Sequence, residues 1–303
     1  MANIPSWVYK LLIVLATIIW GFSFVVMKDV VAVLPPAWLL GMRFLFAGAL
    51  LLVILRKRVM RFCSRKVVTY GFVLGVLDFT AFWLQTMGLK HTTPGINAFL
   101  TATYCVLVPF AWWLIARKRP TAFNIVAAIV AVCGIWLVSV SSSGETLSIG
   151  FGEAMTLGCA VAFAAHIVAV SKFAQKCDAL VLTVFQFIAE GALGIIFGAA
   201  TETFPGIAAF TPEIIGQMLF LAVFASVVAF GIQNVSLAHV PPTQASLLLS
   251  LESVFGVVFS ILLYGEQMTL RLVVGFVLIF AAIVISETLP LKEKPCRRKS
   301  TSS

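Results

Sequence analysis

Charge is what this 303-residue chain has least of. Only 11% of its residues are Asp, Glu, Lys or Arg, against roughly 25% in an ordinary soluble domain. In their place 61% are hydrophobic, and the mean hydropathy is +1.07. A soluble fold of this length lacks the charge to cover its own surface. A soluble enzyme, a disordered chain and a secreted disulfide scaffold are therefore excluded. Histidine occurs only three times, and the six cysteines (63, 105, 133, 159, 177 and 296) show no CxxC or Cys/His spacing, so no metal is expected. Cys296 is too far from the end to form a prenylation box. No P-loop is present to bind ATP. The net charge of +9 is not arranged as a basic stripe interleaved with aromatics, so nucleic acid is not expected as a partner.

What the chain does have is long apolar runs. Ten of them lie near 8–27, 36–55, 67–89, 97–116, 121–140, 150–171, 179–200, 214–235, 245–263 and 270–287. Each approaches the ~20 residues that a helix needs to cross a bilayer. The first run ends at Lys28 without a small-residue cleavage site and reads as a retained span. Basic residues are distributed unequally between the loops. Lys10, the cluster from Arg56 to Lys66, Arg117 to Arg119, Lys172, Lys176 and five tail residues from Lys292 to Lys299 fall on one side. Lys28, Lys90 and Arg271 fall on the other, and Arg43 lies within a span. The excess of Lys and Arg marks the cytoplasmic side. The expected fold is an all-α integral membrane protein of ten transmembrane helices with both termini cytoplasmic.

The chain also repeats itself. A shift of 148 residues lays 81–100 (AFWLQTMGLKHTTPGINAFL) on 229–248 (AFGIQNVSLAHVPPTQASLL) without gaps. Gln85/Gln233, His91/His239, Pro94/Pro242 and Thr121/Thr269 match, beside apolar pairs such as Phe82/Phe230. The polar matches carry the weight, because apolar identities come easily in membrane spans. Nearby shifts align RFLFAGAL (43–50) with QFIAEGAL (186–193), and Lys28 with Lys172. Span 1 then corresponds to span 6 and span 5 to span 10. Because five is odd, the halves should cross the membrane in opposite directions, the construction of many secondary transporters. The expected organisation is a first repeat at 1–143, a second at 144–291 and a basic cytoplasmic tail at 292–303, with the Gly/Ser-rich segment 141–150 as linker.

The repeat unit resembles the EamA-type members of the drug/metabolite transporter superfamily over essentially the whole chain. WGFSFVVMK (20–28), RF (43–44), FWLQTMGLKHTTPGINAFLTATYCVLVPF (82–110) and LESVFGVVFSILLYGE (251–266) carry that resemblance. It implies a ten-helix inverted-repeat transporter without cofactor, moving small metabolites, often outward. One departure is Ser253, which stands where the family usually has Pro after the span 9 Glu and weakens the expected bend there.

Ionisable residues at bilayer depth are costly and are functional candidates by default. Asp78 falls near the middle of span 3, as a partner for a substrate amine, a proton carrier, or a carboxyl tied to a neighbouring helix or to Arg43. Asp78, Phe82 and Gln85 share one face of span 3, and Asn97, Thr101 and Tyr104 share one face of span 4. Their counterparts on span 8 are Ser226, Phe230 and Gln233, and Glu252 on span 9 aligns with Tyr104. Four such stripes facing one another would line a central cavity, the place where transporter sites lie; the plainer reading is polar contact between helices. His166 is the single histidine within a span, and Trp20 is a candidate cavity wall. Trp7, Trp38, Trp112 and Trp113 suit interface anchors. Arg43 reads as a tie to an acidic partner or to backbone carbonyls, with substrate binding as the lesser alternative, and Glu190 as structural or inter-helix before functional. The pairs Gly71/Gly75 and Gly194/Gly198 suit close helix packing.

The candidate substrate-binding set is thus Trp20, Asp78, Phe82, Gln85, Asn97, Thr101, Tyr104, His166, Phe230, Gln233 and Glu252. The expected function is a secondary transporter, not an enzyme. It would export amino acids or related amphipathic solutes by alternating access, in the multi-pass setting of a bacterial inner membrane. Its partners are the lipid bilayer, a small-molecule substrate and, if the intramembrane acids carry them, protons. Proton-coupled export of drugs or nucleosides, a channel and a membrane-embedded transferase are the alternatives. Oligomeric state is left open.

Overall fold

In the computed structural model, residues 5–116, 119–139, 149–174, 176–237 and 248–288 are described. The tail, most of the linker, Arg117, Lys118, His239 and Cys296 lie outside that set. The first half holds α1 (Ser6–Val33), α2 (Pro36–Ile54), α3 (Arg56–Phe62), α4 (Arg65–His91), α5 (Pro94–Ala102), α6 (Tyr104–Ala116) and α7 (Ala122–Ser139). The second holds α8 (Phe151–Phe173), α9 (Ala179–Thr201), α10 (Pro212–Phe220), a π-helical segment Leu221–Val228, α11 (Ala229–Leu237), α12 (Leu251–Phe259), a second π segment Ser260–Tyr264 and α13 (Leu270–Thr288). Among the described residues seven helical stretches are long and apolar enough to cross a bilayer, including Pro94–Leu114, which spans α5 and α6, and Pro212–Gln233, which runs through the first π segment. Three shorter apolar helices lie at Ala122–Val138, Leu251–Tyr264 and Leu270–Ser286.

Local chemistry sets the helix starts. Ser64, Thr93, Asp178 and Thr211 each accept a bond from the backbone N–H three residues on, at 3.2 to 3.3 Å. Pro36, Pro94 and Pro212 occupy first-turn positions where no N–H is needed. Glu202 extends the same logic between helices, its carboxylate accepting from the Ala37 and Trp38 N–H groups at the α2 N-terminus at 3.0 to 3.3 Å.

Three boundaries differ from the periodicity reading. Helix α1 does not stop at Lys28 but continues to Val33. The ammonium is satisfied by the carbonyls of Leu89, Lys90 and Thr92 at 2.6, 3.2 and 2.6 Å, so it does not need a loop; Pro35 and Pro36 end the helix instead. Span 4 breaks into α5 and α6 at Thr103, whose hydroxyl bonds back to the Leu100 carbonyl at 2.6 Å, with Pro109 inside α6. Residues 56–62, read as loop, form the basic helix α3, which Arg58 ties to Asp178 at 2.8 Å.

Glycine sets how closely helices approach. A Cβ on Gly194 would sit 2.6 Å from the Gly41 Cα, and one on Gly75 would sit 2.8 Å from the Gln186 carbonyl. So α2 and α4 both press against α9 backbone to backbone. Gly71 meets the Phe185 Cβ in the same way, and Gly198 lies under the Trp38 ring. The packing pattern maps onto itself when the halves are exchanged. Helices α2 and α9 pack together, as do α7 and α13, and α5 and α12. The contact of α4 with α8 has its match in α1 against α10 and α11, and that of α4 with α9 in the π segment against α2. Large apolar side chains such as Val53, Val132, Ile196 and Val277 are exposed on the outer faces, as a lipid environment requires.

Candidate functional site

The two halves are joined at the centre by one polar contact made twice. Arg43 on α2 and Gln186 on α9 are counterparts, as are Asp78 on α4 and Ser226 in the first π segment. Arg43 Nε donates to Ser226 Oγ at 3.0 Å, and Gln186 Nε2 donates to Asp78 Oδ2 at 2.6 Å. Each half therefore reaches from its second span to the third span of the other. The π geometry has a visible role here. Ser226 donates to the Leu221 carbonyl at 3.0 Å, five residues back, which leaves its lone pairs for Arg43.

An aromatic row follows the same symmetry. Phe44 and Phe187, matched residues, touch with centroids 5.3 Å apart. Outward from them, Phe44 meets Phe82 at 5.1 Å and Phe187 meets Phe230 at 5.3 Å. Phe163 and Trp20 close the two ends, against Phe82 at 5.1 Å and Phe230 at 5.4 Å. Trp20 is pinned by its indole N–H, which donates to the Ala225 carbonyl at 2.8 Å. Each such ring pair contributes ~0.5–1.5 kcal/mol beyond burial, so the row holds the aromatic wall in place.

A cavity of about 890 Å³ lies beside this row. Ten of the eleven candidate residues line it. Trp20, Phe82 and Phe230 supply rings, Gln85, Thr101, Tyr104 and Gln233 supply neutral polar groups, and Asp78, His166 and Glu252 are ionisable. Asn97 is the exception. It is wholly buried, and its amide donates to the Thr156 hydroxyl at 2.8 Å and the Gln85 carbonyl at 3.2 Å, so it braces α5 against α8 and α4. The Gln85 side chain donates in turn to Thr101 Oγ1 at 3.2 Å. Tyr104 and Glu252, matched in the repeat, meet directly, with the phenol donating to Oε1 at 3.4 Å.

The acids differ in their surroundings. Asp78 is fully buried. Besides the Gln186 bond, its Oδ1 lies 3.7 Å from His166 Nδ1 with no hydrogen bond. Glu190 is equally buried, does not line the cavity, and lies against the Asp78 carboxyl in the field of Arg43, with no N–H or hydroxyl of the described residues bonded to either oxygen. Arg43 departs from its expected role. Among the described residues it makes no ion pair and bonds no carbonyl. Instead it lines the cavity, tied to a hydroxyl and laid over the rings of Phe44 and Phe82 at 4.7 and 5.2 Å. Gln186, Thr183 and Phe163 also line the cavity without having been candidates. Gln186 was findable, because it stands opposite Arg43 in the repeat; nothing in sequence marked the other two. Ser253, in place of the family proline, bonds back to the Ser250 carbonyl at 2.8 Å. Among the described residues no group of three or more His, Cys, Asp or Glu is placed to hold a metal.

Beside the part of the cavity lined by Met27 and Leu89, a charged clasp gathers on the α4–α5 turn. Lys28 from α1 holds the Leu89, Lys90 and Thr92 carbonyls, and Glu153 from α8 accepts from the Thr92 hydroxyl at 3.3 Å. Glu266 accepts from the Thr93 hydroxyl and, at 3.1 Å, from the Gly95 N–H. Toward the other end the lining extends to Ala174 and Ala179, where α8 passes to α9.

The profile of the EamA-like transporter family matches this chain twice, over residues 7–140 and 150–288. An uncharacterized transporter of Archaeoglobus fulgidus is 29% identical over 271 residues, covering 89% of this chain and 83% of its own. The uncharacterized transporter YvbV of Bacillus subtilis is 27% identical over 298 residues, covering 97% and 96%. Protein PagO of Salmonella typhimurium is 26% identical over 307 residues, covering 96% and 97%. A solved crystal structure superposes with a TM-score of 0.66 over 92% of this chain and 96% of its own, at 16% identity, which is likeness of fold alone. Two tandem matches that together take in all the described helices show that the chain belongs to the EamA-like transporter family.

Proposed function

We propose that this membrane transporter is a secondary carrier that exports small amphipathic metabolites, amino acids or related solutes, by alternating access around the central cavity. Its ten spans form two five-helix repeats of opposite orientation, 1–143 and 144–291. Both termini and the basic tail 292–303 lie on the cytoplasmic face of a bacterial inner membrane. The observation that carries this reading is the crosswise pair of ties, Arg43 to Ser226 and Gln186 to Asp78. Two halves that hold each other by equivalent bonds can exchange conformations, opening the enclosed site first to one side and then to the other. The clasp around Lys28 supports closure at the face opposite the termini. Lining that reaches Ala174 and Ala179 supports loading from the cytoplasmic face, hence export.

The test is flux in liposomes holding purified protein, offered labelled amino acids and nucleosides with and without a pH gradient. Saturable flux of one class is expected. Flux that never saturates, or single-channel currents, would replace the carrier with a channel. A second reading, proton-coupled export of drugs or nucleosides, draws on Asp78 beside His166 and on Glu190 against Asp78. In that case neutralising Asp78, Glu190 or Glu252 abolishes gradient dependence while exchange persists.

A further inference from the structure

Arg43 has more hydrogen-bonding capacity than the protein uses. A guanidinium carries five N–H donors. In Arg43 the Nε donor goes to Ser226 Oγ and aromatic rings cover the group on Phe44 and Phe82, but among the described residues no acceptor is bonded to the four terminal N–H groups. The residue is only 2% exposed, and it lines the cavity. The two acids in whose field it lies do not complete it. Asp78 is turned to Gln186 and His166, with its free oxygen sealed from solvent, and Glu190 lies outside the cavity wall. A solute in the cavity therefore meets the guanidinium edge, while Asp78 lines the wall with one oxygen held by Gln186 and the other sealed from solvent.

Resting on the carrier reading above, we infer that Arg43 anchors the substrate by a carboxylate, so that the cavity selects solutes bearing one carboxylate on an apolar or aromatic body. The planar fork of the guanidinium matches the two oxygens of a carboxylate. A phosphate dianion fits less well, because among the described residues Arg43 is the single arginine in the wall, and one guanidinium offsets one negative charge and not two. The body of the substrate would lie along Phe82, Phe230 and Trp20. The repeat makes the anchor one-sided: the position matching Arg43 is Gln186, neutral and already committed to Asp78. A cavity symmetric in shape thus becomes directional in charge, and a bound solute takes one orientation.

The experiment uses the purified full chain and matched probes: phenylalanine against phenylalaninamide, and 3-phenylpropionate against 3-phenylpropanol. Affinity is read by ligand-induced thermal shift, and flux is read in liposomes. Wild type should bind each carboxylate at least about tenfold more tightly than its uncharged or amidated partner, and Arg43→Gln should erase that preference. Arg43→Lys, which keeps charge but not the fork, should retain part of it. Ser226→Ala, which removes the structural tie but leaves the guanidinium, should retain carboxylate preference; equal loss in Ser226→Ala and Arg43→Gln would mean a structural role and overturn the anchor. Equal affinity for both members of each pair, or no binding of either carboxylate by wild type, also overturns it. Filling the cavity with Ser23→Trp separates the two levels. Flux that survives Arg43→Gln but stops in Ser23→Trp removes the anchor and keeps the carrier. Flux indifferent to Ser23→Trp removes the carrier reading itself.

Discussion

The crosswise ties make an unequal pair, and the inequality has a size. Gln186→Leu leaves Asp78, fully buried, with no N–H or hydroxyl of the described residues bonded to either oxygen, and only the Glu190 carboxyl beside it. Hydrogen bonds between membrane helices average ~0.6 kcal/mol and reach ~1.7, while bonds to charged groups run ~1.5–3 kcal/mol. A 2.6 Å bond to a sealed carboxylate belongs at the upper end, so Gln186→Leu should cost about 2 kcal/mol. Ser226→Ala should cost about half that. Arg43 keeps its two aromatic faces and its access to the cavity, and the Leu221 carbonyl loses only a hydroxyl donor. Reversible unfolding in mixed detergent micelles, followed by far-UV circular dichroism, measures both. A double-mutant cycle with Asp78→Ala, which removes the acceptor, isolates the Gln186 bond. Coupling below ~0.3 kcal/mol, or Ser226→Ala costing as much as Gln186→Leu, would refute the reasoning.

Four further outcomes follow from the geometry. Gly194→Ala forces α2 and α9 apart where the backbone stands 2.6 Å from the added carbon, and should destabilise by ~1–3 kcal/mol in the same assay. Gly216→Ala, with open space around it, should be neutral or gain up to ~1 kcal/mol from helix propensity. Burial alone would raise the Asp178 carboxyl, but the bonds from Arg58 and the Val181 N–H outweigh it and hold the group below the ordinary range. A depressed carboxyl stabilises the fold above about pH 4 and loses that contribution as pH falls through its folded value. Wild type should therefore lose its advantage over Arg58→Ala as pH falls below about 4; because Arg58 is half exposed, the advantage is under ~1 kcal/mol. Lys28→Met removes three bonds from the α4–α5 turn, so amide exchange over residues 89–95 should accelerate more than elsewhere.

Much of this was legible because repetition reports on space as well as ancestry. Matching Asp78 to Ser226 and Arg43 to Gln186 names the four residues that hold the centre, although only the structure reveals that they bond crosswise. Asp78, Phe82 and Gln85 on span 3, Thr101 and Tyr104 on span 4, and Phe230 and Gln233 on span 8 do line one cavity, because polar groups at that depth need one another or water, while Ser226 is buried behind it. Asn97 misled for the same reason. Its stripe position is right, but an amide next to Thr156 and the Gln85 carbonyl is satisfied by helix packing and turns away from the cavity. Lys28 misled the helix boundary because hydropathy counts an ammonium as a loop residue, whereas three carbonyls at the end of a neighbouring helix provide for it. The π segment at Leu221–Val228 leaves no trace in an apolar run; one serine there decides where Arg43 points.

The most direct test of alternating access is two-sided labelling in sealed liposomes. In a background without native cysteines, Gln233→Cys is exposed to a membrane-impermeant thiol reagent added from one face and then, in separate vesicles, from the other. Gln233 lines the cavity, so the account predicts reaction from both faces, with a transported solute shifting the ratio and slowing both. Reaction from one face only, unchanged by any solute that the protein moves, would contradict it.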